Sequence, residues 1–276
     1  MTITDKPTTQ DVYNFWNNNF LYSFEFDIEP GTKEFFEAVD SLKKNDIEKF
    51  SYNLWEFEKH QNKKVLDIGC GPGWLVVNFA KNNADIYAVD ITDTAVDITS
   101  KTLQLLGLSA NLHVANAEQL PFEDNYFDFI TSSGVLHHTP DTQKAVDEVY
   151  RVLKPGGRAI ISLYYRNFLL TPAFFPLMLK VYNFFSPRVP DRNKMMVADS
   201  PEEFVRMYDG EQNPVGSMYD RKETIKLFNK FEIKGIEIHF FPKRFFNAFK
   251  NIDGFLYKIL DKYFGTMIFV QLYKKP

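Results

Sequence analysis

Short apolar runs alternate with amphipathic segments from about residue 64 of the chain onward. Five of these runs have the length and flanking turns of strands, at residues 63–69, 84–91, 111–117, 127–136 and 158–165. The segments between several of them carry apolar residues at helical spacing, clearest in residues 94–106 and 142–153. Regular alternation of strands and helices is typical of a parallel sheet covered by helices.

The regular alternation of predicted strands and helices stops after Tyr165. Residues 166–220 are rich in Pro, Phe and Met, whereas residues 221–229 predict a helix and residues 231–241 a strand. An amphipathic helix over 242–264 and a strand over 265–275 follow. We expect the two late strands to complete the sheet, which then has seven mostly parallel strands with helices on both faces.

This pattern divides the chain into four parts. Residues 1–60 predict a helical lid, with Gly31 as a break, and residues 61–165 a ligand-binding core. Residues 166–220 form an inserted cap, and residues 221–276 contribute the last helices and strands.

Composition narrows the function. The 276 residues carry a net charge of −4, so the chain lacks the basic balance of a nucleic-acid-binding protein. Cys70 is the only cysteine, which excludes an internal disulfide and a multi-cysteine metal site. The polar N-terminus does not have the layout of a signal peptide, and the apolar stretch 168–179 is too short to span a bilayer. These features predict a cytoplasmic enzyme with no metal.

The turn after the first strand contains Gly69, Gly71 and Gly73, where the backbone can approach a ligand closely. A dinucleotide site needs its third glycine at the position of Trp74, and no Gly-Lys-Ser/Thr of a phosphate-binding loop follows the turn. Asp90 ends the second strand, where a carboxylate accepts hydrogen bonds from ribose hydroxyls. The pattern therefore predicts a nucleoside ligand with little or no phosphate.

Five motifs then occur in one order: VLDIGCGPG at 65–73, VD at 89–90, NAEQLPFEDNYFD at 116–128, SGVLHHTPDT at 133–142 and RVLKPGG at 151–157. This series resembles the class I S-adenosylmethionine-dependent methyltransferases, in the branch with the ubiquinone/menaquinone C-methyltransferases. The resemblance implies a three-layer Rossmann-like fold with S-adenosyl-L-methionine as cofactor.

The resemblance also implies a cofactor-binding set: Asp67, Gly69, Cys70, Gly71, Gly73, Asp90, Ile91, Asn116, Ala117, Glu118, Ser133 and Gly134. The turn and Asp67 would hold the methionine and ribose, with Cys70 a structural member, and Asp90 would accept from the ribose hydroxyls. Asn116 departs from the family, which usually has Asp there. Its carbonyl can still accept from the adenine amine, without charge assistance.

The acceptor side is less specific. His138, His137 and Tyr165 are candidate catalytic residues, His138 ahead of His137 as a general base, because a histidine is matched to accept a proton near neutral pH. Either histidine could instead serve the fold, since methyl transfer can proceed by alignment and desolvation alone. The candidate substrate-binding residues are aromatic or basic: Tyr13, Trp16, Tyr22, Tyr164, Arg166 and Tyr219.

We therefore expect methyl transfer to a small-molecule acceptor by direct displacement at an oxygen, nitrogen or carbon nucleophile. Aromatic walls suit a flat or lipidic acceptor or a cationic amine. The helix over 242–264 could pack on the sheet or rest on a membrane surface. The alternatives are a non-catalytic cofactor-binding regulator or subunit, and a nicotinamide-dependent oxidoreductase, against which Trp74 argues.

Overall fold

The computed structural model describes residues 6–22, 26–47, 49–185, 198–210, 212–241, 243, 252 and 254–276. Its strands are β1 Lys64–Ile68, β2 Asp85–Asp90, β3 Asn111–Val114, β4 Phe127–Ser133, β5 Leu153–Tyr165, β6 Met218–Tyr219, β7 Glu232–His239 and β8 Met267–Tyr273. Its helices are α1 Thr9–Asn18, α2 Lys33–Leu42, α3 Ser51–Trp55, α4 Trp74–Lys81, α5 Asp93–Leu105, α6 Thr142–Val152, α7 Phe175–Phe185, α8 Pro201–Arg206, α9 Arg221–Leu227 and α10 Gly254–Phe264.

One mixed sheet organises the protein, in the order β3-β2-β1-β4-β5-β8-β7. The strands pair in parallel from β3 to β5, and β8 runs antiparallel to both of its neighbours. The predicted α/β fold with a seven-stranded, mostly parallel sheet is confirmed. The carboxyl ends of β1, β2, β4 and β5 consequently meet at one edge, where ligands bind in such sheets.

An eighth strand, β6, was not predicted. It pairs in parallel with the last two residues of β5, Tyr164 and Tyr165, beyond the end of β4. Two residues are too few for an alternating pattern, so only the tertiary pairing reveals this strand.

Side chains alternate between the two faces of the sheet. Val65 of β1 packs in a cluster with residues of α2, α4 and α5, whereas Leu66 and Ile68 pack in a second cluster with residues of α6. The same alternation places Ile160 of β5 in the first cluster and Ile161 in the second. Successive strand residues point to opposite faces, so both faces need a helical cover, and the core is two apolar layers.

The N-terminal segment serves both as core and as cover. Thr32 caps α2, whose Phe35, Phe36 and Val39 are buried in the first cluster. Helix α1 instead borders the strand ends, and Asn17 accepts a hydrogen bond from the Thr94 hydroxyl of α5 at 2.7 Å. Helix α1, the residues just after it and Lys43 after α2 are the described parts of this segment that line the cavity.

The insertion builds a small apolar cluster of its own at the end of β5. Tyr164 packs there with Leu170, Phe175, Val205 and Met218. The amphipathic helix predicted over 242–264 is shorter in the structure, because α10 begins at Gly254. Most of its predicted first half, residues 242, 244–251 and 253, lies outside the described residues.

Gly69 and Gly71 offer a matched stability test. Both have positive φ, at +78° and +49°, but a Cβ on Gly69 would lie 2.2 Å from Val135 Cγ2, whereas a Cβ on Gly71 would meet nothing within 4 Å. We expect Gly69→Ala to lower the free energy of unfolding by roughly 1–3 kcal/mol more than Gly71→Ala, which is the usual cost of overpacking. Urea unfolding of both variants measures this difference. Equal losses would show that the turn relaxes freely around Val135.

Candidate active site

A cavity of about 410 Å³ opens at the carboxyl edge of the sheet. One part, here called the strand half, is formed by the ends of β1, β2 and β4 and the residues that follow them. The other part, the cap half, is formed by α1, the insertion and the region around α10. The cap half is lined mainly by apolar side chains, among them Trp16, Leu170, Met178, Phe204, Phe241, Phe264 and Met267.

The strand half is organised around the Asp90 carboxylate at the end of β2. Asp90 Oδ2 accepts a hydrogen bond from the Gly71 amide at 3.1 Å, and Oδ1 accepts from the Thr92 amide and hydroxyl at 3.0 and 2.9 Å. The Gly69 amide donates to the Val89 carbonyl at 2.7 Å. The glycine turn and the end of β2 are thus held together by direct hydrogen bonds, with Ile91 beside them in the cavity wall.

Asp67 and Lys43 bring opposite charges into the same half. Asp67 is almost fully buried and accepts from the Thr131 hydroxyl at 2.9 Å. Burial raises the pKa of Asp67 to about 7, and the positive charge of Lys43 opposes this rise. The Lys43 Nζ lies 4.9 Å from the Trp74 ring and 5.9 Å from the Tyr22 ring. Two neighbouring groups of opposite charge suit a zwitterion.

Other predicted members of the strand half have local roles. Asn116 Oδ1 accepts from the Glu118 amide at 2.9 Å, so this carbonyl keeps one lone pair for a ligand. Glu118 Oε1 accepts from the Asp141 amide at 2.8 Å, which places Glu118 at the start of α6, away from the cavity wall. Burial raises the pKa of the Cys70 thiol well above its ordinary value, so Cys70 is a neutral wall residue.

Gly73 begins α4 outside the cavity wall. Its φ is +77°, and a Cβ there would lie 2.8 Å from Thr99 Oγ1. Gly73 therefore serves the packing of α4 against α5 rather than a direct approach to a ligand.

Ala117, Ser133 and Gly134 do line the cavity, and the Gly134 amide donates to Ser162 Oγ at 2.8 Å.

The two histidines occupy different environments. His137 is fully buried, and its burial lowers the pKa of the ring well below the ordinary value, so His137 is neutral. His138 Nδ1 lies 2.6 Å from the Val215 carbonyl, and because a carbonyl only accepts, Nδ1 carries a proton. His138 Nε2 lies 3.2 Å from Asp209 Oδ2, which also accepts from the Tyr164 hydroxyl. We call these three residues the His138–Asp209–Tyr164 cluster.

Strand alternation separates Tyr164 from its neighbours. Tyr164 lines the cavity, whereas Tyr165 packs in the second core cluster. Arg166 pairs with Glu223 and lies 3.8 Å from Glu202. Tyr165 and Arg166 therefore lie outside the cavity wall, unlike the expectation. One step along β5 reverses the direction of the Tyr165 side chain, whereas Arg166 lies beyond the end of the strand and is held by its acidic partners.

Two further aromatic candidates also lie outside the cavity wall. The Tyr13 hydroxyl donates to Asp93 Oδ2 at 2.8 Å and joins α1 to α5. Tyr219 packs in the second core cluster in register with Tyr165. Trp16 and Tyr22, by contrast, line the cavity. The N-terminal segment thus supplies two of its three predicted aromatics.

Comparison with known proteins agrees with this geometry. A family described as a methyltransferase domain matches residues 66–161. A ubiquinone/menaquinone biosynthesis C-methyltransferase (UbiE) of Edwardsiella ictaluri is 32% identical over 192 residues, which cover 63% of this chain and 74% of the relative. The chain belongs to the class I S-adenosylmethionine-dependent methyltransferase family.

Two further similarities set the extent of the match to this methyltransferase family. The UbiE protein of Psychromonas ingrahamii is 36% identical over 163 residues, and the match spans 55% of this chain and 62% of that relative. The crystal structure of a methyltransferase from Methanosarcina mazei shares the fold, with a TM-score of 0.54, 21% identity, and coverage of 78% of this chain and 94% of that chain.

The strand half fits S-adenosylmethionine, the cofactor of this methyltransferase family. Asp90 ends β2 with both carboxylate oxygens oriented, and the space beside Gly71 is open because glycine has no Cβ. Asp67 and Lys43 match the amino and carboxylate groups of the cofactor's methionine part in sign. Among the described residues, no group of three or more His, Cys, Asp or Glu side chains is arranged to hold a metal ion.

Lys43 and Asp209 were not predicted from the sequence. Lys43 directly follows α2, more than twenty residues before β1, and no local motif marks it. Asp209 stands within an insertion whose path has no periodic pattern, although the polar stretch that follows the apolar residues is a weak signal. Both residues reach the cavity only through tertiary packing.

Proposed function

We propose that this chain transfers a methyl group from S-adenosylmethionine to an apolar small molecule bound in the cap half. The observation that carries the proposal is one continuous cavity that joins an Asp90-centred nucleoside site to an apolar chamber. When bound, the cofactor would supply a sulfonium methyl group, whose carbon an acceptor nucleophile would attack in line, with S-adenosylhomocysteine leaving as the carbon–sulfur bond breaks. The protein's task is to align the two reactants and to exclude water.

The strand half holds the cofactor in this proposal. Asp90 accepts from the ribose hydroxyls, while Gly71 and Thr92 orient its carboxylate. Ionised Asp67 accepts from the amino group of the methionine part, and Lys43 donates to the carboxylate. Ile91, Asn116 and Ala117 form the adenine wall.

The cap half supports an apolar and neutral acceptor. Its walls are largely aromatic and aliphatic, and Asp209 is its principal charged member. That charge already accepts a hydrogen bond from Tyr164 and lies 3.2 Å from His138 Nε2, so the His138–Asp209–Tyr164 cluster does not select a cationic amine. The quinone-pathway names of the UbiE relatives agree with a lipophilic acceptor.

The same cluster supplies a proton acceptor if the acceptor nucleophile must lose a proton. His138 Nδ1 donates to the Val215 carbonyl, and His138 Nε2 faces Asp209 Oδ2 at 3.2 Å. Burial raises the pKa of Tyr164 well above its ordinary value, so the phenol stays protonated and donates. Asp209 then takes the proton of the acceptor, and His138 and Tyr164 position its carboxylate.

Transfer of labelled methyl groups tests the function directly. Purified protein, cofactor labelled in its methyl group and separate lipid and aqueous extracts of the host are combined. We expect label in a product of the lipid extract.

We expect Asp90→Ala to weaken cofactor binding at least tenfold, since hydrogen bonds to a charged group contribute about 1.5–3 kcal/mol.

Two results would contradict this proposal. Cofactor binding without transfer to either extract would favour the non-catalytic regulator. Label confined to a product of the aqueous extract would leave a methyltransferase but remove the apolar acceptor. Calorimetry with S-adenosylmethionine and with NAD, run side by side, also checks the class of cofactor.

The pKa of Asp67 predicts a pH dependence of cofactor binding. The amino group binds ionised Asp67, and a pKa of about 7 means that the ionised fraction rises between pH 6 and 8. We expect the Kd to be about tenfold higher at pH 6 than at pH 8, by proton linkage. Calorimetry across this range measures it. Asp67→Asn should abolish the dependence while Asp90→Asn, also weaker in binding, should retain it; a dependence that survives Asp67→Asn would remove Asp67 from the site.

Asp209 predicts a separation of turnover from cofactor binding. We expect Asp209→Asn to lower kcat by about 10²-fold or more, the usual range for loss of a general base, and to leave the cofactor Kd unchanged. Glu202→Gln is the matched control, because Glu202 is an exposed carboxylate of the same insertion. Equal losses in kcat and cofactor affinity would instead give Asp209 an architectural role.

A further inference from the structure

Exposed apolar side chains are concentrated on helices α7 and α10. On α7, Leu177 and Val181 are 63% and 45% exposed, and Phe184 is also exposed. On α10, Phe255 is 80% exposed, with Ile259 and further residues beside it. In both helices these positions recur at intervals of three or four residues, so each helix presents one apolar stripe to solvent.

An aromatic bridge joins the two stripes. The Phe168 ring lies 5.9 Å from the Phe174 ring, just before α7, and 5.5 Å from the Phe264 ring at the end of α10. Asn167 Nδ2 donates to the carbonyls of Phe264 and Gly265, which fixes this junction. We define the α7–α10 surface as Phe168, Phe174, Leu177, Val181, Phe184, Phe255, Leu256, Ile259 and Tyr263. Exposed apolar side chains grouped and joined in this way mark an interaction site.

The exposed charges on these helices are all positive. Among the described side chains of α7 and α10, the solvated charges are Lys180, Lys258 and Lys262, in a protein whose net charge is −4. The one acidic residue there, Asp261, is buried and accepts from His239 at 2.7 Å. Apolar stripes accompanied only by lysines are complementary to an anionic lipid surface.

The α7–α10 surface also adjoins the cap half of the cavity. Leu169, Met178 of α7 and Phe264 of α10 line that half, while their neighbours on the same elements face solvent. A lipophilic acceptor that leaves a bilayer here would enter the cavity between apolar walls. The short path avoids transfer of the acceptor through water, which is costly for an apolar molecule.

We infer that the α7–α10 surface docks this protein on an anionic lipid bilayer. The contact is peripheral, since none of the helices among the described residues has the length and apolar character needed to cross a bilayer. The inference rests on the proposed function for its purpose, the capture of a lipophilic acceptor. Its test needs no methyl transfer, so either proposal can fail while the other stands.

Co-sedimentation with lipid vesicles tests the surface. The full chain is mixed with vesicles of phosphatidylcholine containing phosphatidylglycerol, and with vesicles of phosphatidylcholine alone. We expect binding to the anionic vesicles that weakens in high salt, and at least tenfold weaker binding to the neutral ones. Protein that stays in the supernatant with both compositions would overturn the inference.

Three variants identify the side chains responsible. Leu177→Ser/Phe255→Ser should weaken binding to anionic vesicles at least tenfold, because both side chains are exposed and apolar. Lys180→Gln/Lys258→Gln/Lys262→Gln should weaken it on the order of 100-fold at low salt. Leu105→Ser is the control: Leu105 is 61% exposed at the end of α5, which packs on β3 at the opposite edge of the sheet, and its binding should equal that of the unmodified protein.

Equal binding by the Leu177→Ser/Phe255→Ser variant and the Leu105→Ser variant would overturn the assignment of this surface. A competing occupant is a second copy of the chain. Sedimentation without lipid distinguishes the two. A stable dimer that Leu177→Ser/Phe255→Ser dissociates would overturn membrane docking in favour of a protein interface.

Discussion

The site depends on the hydrogen bonds that hold the β1 exit turn against the end of β2. Gly69 donates to the Val89 carbonyl and Gly71 donates to the Asp90 carboxylate, so two strand ends become one rigid rim. This arrangement needs left-handed backbone at both glycines, and a side chain at Gly69 would also clash with Val135. The same turn leads into α4, so the conformation of the turn also sets how α4 starts next to the sheet.

The two strand ends that form this rim also carry buried carboxyl groups. Asp67 and Asp90 sit at adjacent strand ends, and burial raises the pKa of both carboxyl groups. Such burial opposes folding unless the carboxylates find partners, and here hydroxyl and amide donors and the charge of Lys43 supply part of the compensation. A bound cation near Asp67 would supply more. The buried carboxyl groups thus cost folding free energy, and a positively charged ligand would offset part of that cost. Groups with shifted pKa values are commonly found at functional sites for this reason.

The sequence predicted the parts of the fold and site that local patterns encode. The five strands of the core, the glycine turn and Asp90 lie in continuous motifs, and each position follows from a turn or a strand end. Lys43, Asp209 and strand β6 lie outside any such motif, because they reach the site through packing between distant segments. Tyr165 shows a different limit. The strand that contains it was predicted correctly, but the sequence does not say which face of that strand lines the cavity, so it cannot tell whether Tyr164 or Tyr165 does.

The two halves of the cavity place different demands on the chain. The strand half relies on backbone geometry and on a few buried charges, which a parallel sheet provides at its carboxyl edge. The cap half relies on an insertion with its own small apolar cluster, anchored to the sheet where β6 pairs with the end of β5. Since β6 pairs with Tyr164 and Tyr165, the insertion that carries Asp209 is tied to the strand that carries Tyr164. The contact between Asp209 and Tyr164 adds a second link between the insertion and the end of β5, and it lies in the cavity wall.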